Sequence, residues 1–152
     1  MKNLLCVVDL QFPFVQADDA LFVREAVLAV HSAKSRGDHI FMIEDRCGNP
    51  TVEAIEEALH DYPNVSRMRK NQWDGSLQVA MELDLIGAQP ERITACGAFA
   101  EQCVLATLIG LRDRFPTIEL EILRKACVPA PGHCFRDCDW CECSRRIGLI
   151  LS

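Results

Sequence analysis

Three side chains far apart in the sequence have the types that nucleophilic catalysis needs: Asp9, Lys70 and Cys103. A thiol attacks carbon only as its thiolate, and a neighbouring cation or a helix start favours that form. A carboxylate within reach of the thiol acts as general base, taking the proton as the sulfur attacks. The backbone N–H of Cys103 and that of a preceding turn residue then suit a developing oxyanion. Together these groups suit attack on a carbonyl or amide carbon. Each residue also has a plainer reading. A carboxylate after a buried strand often caps a loop, a lone lysine is usually a solvated charge, and a cysteine at a helix start is often only packed.

The elements that must position these residues follow from the pattern of apolar residues. Residues 3–10 form an almost continuous apolar run, which reads as a strand buried on both faces. Residues 19–36 show helical spacing through Leu21, Val23, Val27, Val30 and Ala33, with Gly37 as the stop. A second short strand is predicted over 39–43, and a helix over 51–59 with Thr51 as its N-cap. A weak third strand spans 65–69, a helix 76–86 ends at Gly87, and a fourth strand spans 92–98. A helix from about 101 to 114 and a fifth strand over 118–123, near a sheet edge, complete the pattern. Strands alternating with helices imply βαβ units, so the expected fold is a three-layer α/β/α arrangement with a mainly parallel sheet, in one domain over residues 1–152. Ligands of such sheets bind beyond the carboxyl ends of the strands. Asp9 closes the first strand, Lys70 the third, and Cys103 follows the fourth, so all three fall on that edge.

Composition narrows the function. The 152 residues carry a formal net charge of −6 with no basic run, which gives no support for binding nucleic acid or an anionic membrane. The opening MKNLLCVVDL does not fit a secretory signal, and no stretch approaches the roughly 20 apolar residues of a spanning helix. A cytoplasmic protein acting on a small molecule is expected. Nine cysteines is a high and odd number, which fits a disulfide framework poorly.

The motifs in order resemble the isochorismatase-like cysteine hydrolase family, which includes nicotinamidases and related amidohydrolases. The matching segments are "VVDLQFPF" with Asp9, Gln11 and Phe14, "RMRKNQW" with Lys70, "ITACGAFAEQCVLAT" with Cys103, and "IELEILRKACVPA". The resemblance spans about residues 3–130. It implies Asp9 as base, Lys70 as the cation that stabilises the thiolate, and Cys103 as nucleophile. It also implies a cis peptide between Ala98 and Phe99, with the N–H groups of Phe99 and Cys103 as oxyanion donors. Phe14 and Trp73 are the candidates for an aromatic substrate pocket. Nicotinamidases carry an Asp-x-His metal motif after the second strand. This chain has "IEDRCGNP" there, with Glu44 and Asp45 but no histidine before His60, so no metal is assigned to the site and nicotinamide is not the expected substrate.

Two other readings remain beside hydrolysis. One is a non-catalytic binding or assembly member of the same fold. The other is a thiol redox or metal-binding protein using His133, Cys134, Cys138, Cys141 and Cys143. The spacings 134/138 and 138/141 each suit a zinc ligand pair. The same spacings also place three thiols on one helix face, where they would pack against the sheet, and this is the reading adopted. No cofactor is required by the hydrolytic chemistry. Self-association into a homo-oligomer is expected from the resemblance and the apolar tail "RRIGLILS". Native mass spectrometry of protein purified under reducing conditions is expected to give the metal-free mass; stoichiometric zinc would establish the terminal cluster as a metal site.

Overall fold

In the computed structural model, residues 1–131 and 147–152 are described. The terminal cluster from His133 to Cys143 lies outside the described residues. Six strands form one sheet: β1 (Asn3–Val8), β2 (His39–Asp45), β3 (Val65–Lys70), β4 (Arg92–Ala98), β5 (Glu119–Val128) and β6 (Ile150–Leu151). Their order is β3-β2-β1-β4-β5-β6, and every neighbouring pair is parallel. Four helices connect them: α1 (Ala20–Arg36), α2 (Glu53–Leu59), α3 (Ser76–Leu85) and α4 (Leu105–Arg114). Helix α1 packs against α2, and α3 against α4, which makes the outer layers of a three-layer α/β fold. This pairing is what right-handed crossovers demand when the chain runs from β1 outward to β3 and then returns to β4.

The central strands are apolar because both faces are covered. Leu4, Ile40, Phe41, Ile43, Ile93, Leu120 and Ile122 are fully enclosed. Each such side chain stabilises the fold by about 1.5–3 kcal/mol relative to an exposed one. Edge strand β3 is different: its buried residue is Lys70, while Arg67 faces outward and pairs with Glu44 and Glu56. Charge on an edge discourages pairing with another chain.

Several boundaries differ from the sequence expectation. Strand β1 stops at Val8, because Asp9 adopts a positive φ of 49° and turns the chain out of the sheet. Thr51 does not cap α2, which begins at Glu53. Its backbone bridges Gln11 and its hydroxyl donates to Glu44 at 2.7 Å. Strand β5 continues past residue 123 to Val128, since an irregularity between Ala95 and Gly97 lets the ladder resume at Cys127. It is the second strand from the edge rather than the edge itself, with β6 outside it.

The order reverses direction between β1 and β4, and these two strands approach most closely at Val8 and Gly97. Gly97 has φ 138°, and a Cβ there would lie 1.9 Å from the Val8 carbonyl oxygen. Only glycine fits. A Gly97→Ala variant is expected to lose about 3 kcal/mol or more of stability, measured by urea unfolding, because backbone rather than a flexible side chain must move. Gly87→Ala is the control: it shares a positive φ of 62° but faces open space, so its cost is only the backbone term of about 1–2 kcal/mol.

Candidate active site

The crevice at a strand-order reversal is where open α/β sheets bind ligands. Asp9 leaves β1 there, Phe99 leaves β4 beside it, and Lys70 ends β3 two strands away. The long lysine side chain spans that gap. Its Nζ lies 2.7 Å from Asp9 Oδ2, with both side chains fully buried. The contact is a short ion pair. Nζ also donates to the Gln72 carbonyl at 3.1 Å and stands 3.9 Å from Asp45 Oδ2.

Cys103 arrives by a different route. After β4 the Ala98–Phe99 peptide is cis, and residues Ala100–Val104 form a π-helical turn before α4. The turn closes on the Phe99 carbonyl, which accepts N–H groups from Gln102 and Val104. Such turns recur at functional sites because the extra residue re-aims a side chain. Here the Cys103 thiol is buried and interacts with both Asp9 and Lys70. Ala98 and Ala100 are buried on either side of Phe99.

Electrostatics in this group oppose the thiolate that a helix start and a lysine favour. The Cys103 thiol is pushed up to about 12, first by burial, then by the negative charge of Asp9 and its hydrogen bond to that carboxylate. Lys70 pulls the other way without prevailing, because burial is the largest cause and the Asp9 charge adds to it. Asp9 is itself raised above the ordinary carboxylate range by burial, with Asp45 adding to the rise and Lys70 and Cys103 opposing it. Burial and the Asp9 charge thus favour the neutral thiol over the thiolate. Moving the proton from sulfur to Asp9 leaves the total charge of the group unchanged, so no net charge is added to a buried site.

Of the aromatic candidates, Phe14 packs edge-on against Phe99, with ring centroids 5.9 Å apart at 84°. Trp73 lies on the loop between β3 and α3 and is 60% exposed. Two polar residues of the motif segments, to which the sequence assigned no role, are fully engaged at this edge. Gln11 accepts the Asp45 N–H at 2.8 Å and donates to the Asn49 carbonyl at 2.6 Å, clamping the loop after β2. Thr107 is fully buried and bonds to Cys103 and Gly75. In the sequence Gln11 stands two residues after Asp9 in "VVDLQFPF", and Thr107 closes "ITACGAFAEQCVLAT" four residues after Cys103.

The donors after β2 do not fit a nicotinamidase-type metal. Glu44 accepts from Thr51 and Arg67, and one Asp45 oxygen accepts the Cys47 N–H at 2.8 Å while the other faces Lys70. Among the described residues no group of three or more His, Cys, Asp or Glu side chains is placed to hold a metal ion.

The architecture matches solved structures closely. A nicotinamidase from Staphylococcus aureus superposes with a TM-score of 0.78 at 18% identity, covering 100% of both chains. N-carbamoylsarcosine amidase from Thermoplasma acidophilum gives 0.79 at 16% identity, covering 100% of this chain and 96% of that one. The MAR1 ribonuclease from Caenorhabditis elegans also gives 0.79, at 18% identity, covering 99% of this chain and 76% of that one. The fold is isochorismatase-like. No family model matches the chain in sequence, and no curated protein does. With two amidases and a ribonuclease on one fold, function must be argued from the site. Among the described residues no helix is long and apolar enough to cross a membrane.

Asp9→Asn separates the two roles of the carboxylate. It removes the charge that adds to burial in raising the thiol, so Cys103 should be alkylated faster by iodoacetamide at neutral pH than in the parent protein. Peptide mass spectrometry with exposed Cys47 as internal standard measures this. An unchanged or slower rate at Cys103 would contradict the assignment of Asp9 as a group that raises it.

Proposed function

We propose that the protein is a cysteine hydrolase that cleaves an amide or related C–N or ester bond of a small molecule. The single observation that carries this reading is the buried contact of Asp9, Lys70 and Cys103 at the strand-order reversal. Burying an ion pair costs free energy and is weak support for stability, so a structural role alone explains it poorly. Perturbed ionisable groups gathered at such a crevice are the usual mark of a reactive site. The net charge of −6 favours a small substrate over a polyanion such as RNA.

In the proposed reaction Asp9 takes the Cys103 proton as sulfur attacks the carbonyl carbon. A C–S bond forms, and the carbonyl π electrons move to oxygen. The N–H groups of Phe99 and Cys103 are assigned to the oxyanion. Collapse breaks the C–N bond, and Asp9 returns the proton to the leaving amine. The resulting thioester is attacked by water, which Asp9 deprotonates. The C–S bond then breaks, the acid departs, and the thiol is restored. Lys70 keeps a positive charge beside the proton being exchanged throughout, which limits the cost of the transient thiolate.

Because Asp9 must be ionised to accept the proton, activity should fail on the acid side as Asp9 becomes protonated. Its raised value places that limb at a higher pH than an ordinary carboxylate would. A panel of simple amides and ureas, assayed with the parent protein and Cys103→Ala, tests the proposal. Cys103→Ala is expected to lose at least about 10³-fold in kcat, and Asp9→Asn about 10²–10⁴-fold. Turnover that survives Cys103→Ala would overturn the reading. A redox or metal-binding protein would instead depend on Cys138 and Cys141 and be indifferent to Cys103.

A further inference from the structure

The cation and the thiol sit on separate segments, and their spacing must be fixed by something other than their own attraction. Lys70 is held by the loop that follows β3. Its Nζ donates to the Gln72 carbonyl, and Gly75 lies over its stem, where an added Cβ would come within 3.4 Å of Lys70 Cδ and 2.8 Å of Ile43 Cγ2. The loop thus covers the lysine, and a side chain at residue 75 would press on Ile43 beside it. Cys103 is held by the π-helical turn that opens α4.

One hydroxyl joins the two. Thr107 Oγ1 donates to the Cys103 carbonyl at 2.7 Å and accepts the Gly75 N–H at 3.0 Å, and both bonds are buried. A hydroxyl has one proton to give and lone pairs to accept with, so this arrangement satisfies both partners at once. The bond back to the Cys103 carbonyl, one turn earlier, also fastens the start of α4 where the π-helical turn ends. We infer that Thr107 is a positioning residue whose side chain sets the distance between the Lys70 ammonium and the Cys103 thiol. Nothing about its own chemistry enters the reaction. It ties the loop that covers the cation to the turn that carries the sulfur.

The inference deepens the hydrolase reading, but its test does not depend on that reading. Thr107→Val keeps the shape and removes both hydrogen bonds; Thr107→Ser keeps the bonds and removes only a methyl group. Alkylation of Cys103 by iodoacetamide at fixed mildly alkaline pH needs no substrate. With the ammonium's pull weakened, the Thr107→Val rate should fall about threefold to tenfold below the parent, the latter being one unit of thiol acidity. Thr107→Ser should restore it to within about twofold, since its hydroxyl can make the same two bonds. On a hydrolysed amide the Thr107→Val loss should fall on kcat, about 10- to 100-fold, with little change in KM. A residue that served only packing would loosen the turn and expose the sulfur, so alkylation would quicken. An unchanged or faster rate in Thr107→Val, or a Thr107→Ser rate no closer to the parent, overturns the inference. Should Thr107→Val fail to fold, Thr107→Ala against Thr107→Ser gives the same comparison. If no amide is turned over by the parent protein, the hydrolase reading falls while the alkylation rates still decide the role of Thr107.

Discussion

The structure is organised around one buried ion pair, Lys70 with Asp9. Neither partner reaches solvent, so each depends on the other for charge compensation, and losing either leaves an uncompensated charge that typically costs several kcal/mol. The pair explains the otherwise odd choice of lysine as the inward-facing residue of an edge strand. Its aliphatic stem crosses beneath the loop after β3 and delivers the ammonium to the end of β1. A shorter cation would stop short, and a planar guanidinium would not pass under Gly75 in the same way. Burial first, and the Asp9 charge after it, keep the thiol a proton donor to its neighbour rather than a standing anion.

Close approach of backbones is the second condition. At Gly97 strand β4 lies so near Val8 that no side chain can stand between them, and the chain then turns through the cis peptide into the π-helical turn. At Gly75 the same economy lets a loop lie on the lysine stem. On the far side, Gln11 ties the segment after β1 to the loop after β2, and a Cβ at Gly48 would collide with its side chain. Three glycines thus allow close approach at this edge: to the Val8 backbone, to Ile43 beside the lysine stem, and to Gln11.

Much of this was legible in the sequence because parallel sheets have a strong grammar. A continuous apolar run marks β1, and the alternation of strands with helices places Asp9, Lys70 and Cys103 on one edge. What was not legible depends on three-dimensional detail. The reach of β5 to Val128 rests on an irregular pairing with β4 that the polar segment "RKA" conceals. Thr51 looked like a cap because its type suits one, whereas a bridge to Gln11 and a bond to Glu44 claim it. The helix start and the lysine that favour a Cys103 thiolate are local signals, whereas the burial that raises the thiol, with the Asp9 charge adding to it, is set by the folded structure.

The dispersal of the site along the chain has a consequence for folding. β1 must pair with β4 across a long span of sequence, and that contact can close only after β2 and β3 and their helices have been laid down or bypassed. Loop-closure entropy is spent before such distant pairings return anything, which makes parallel sheets slow to assemble. The reactive group is complete only when the last of these joins is made. Chemistry at Cys103 is thus a reporter of the finished topology, and no partly folded intermediate lacking the β1–β4 junction would share it.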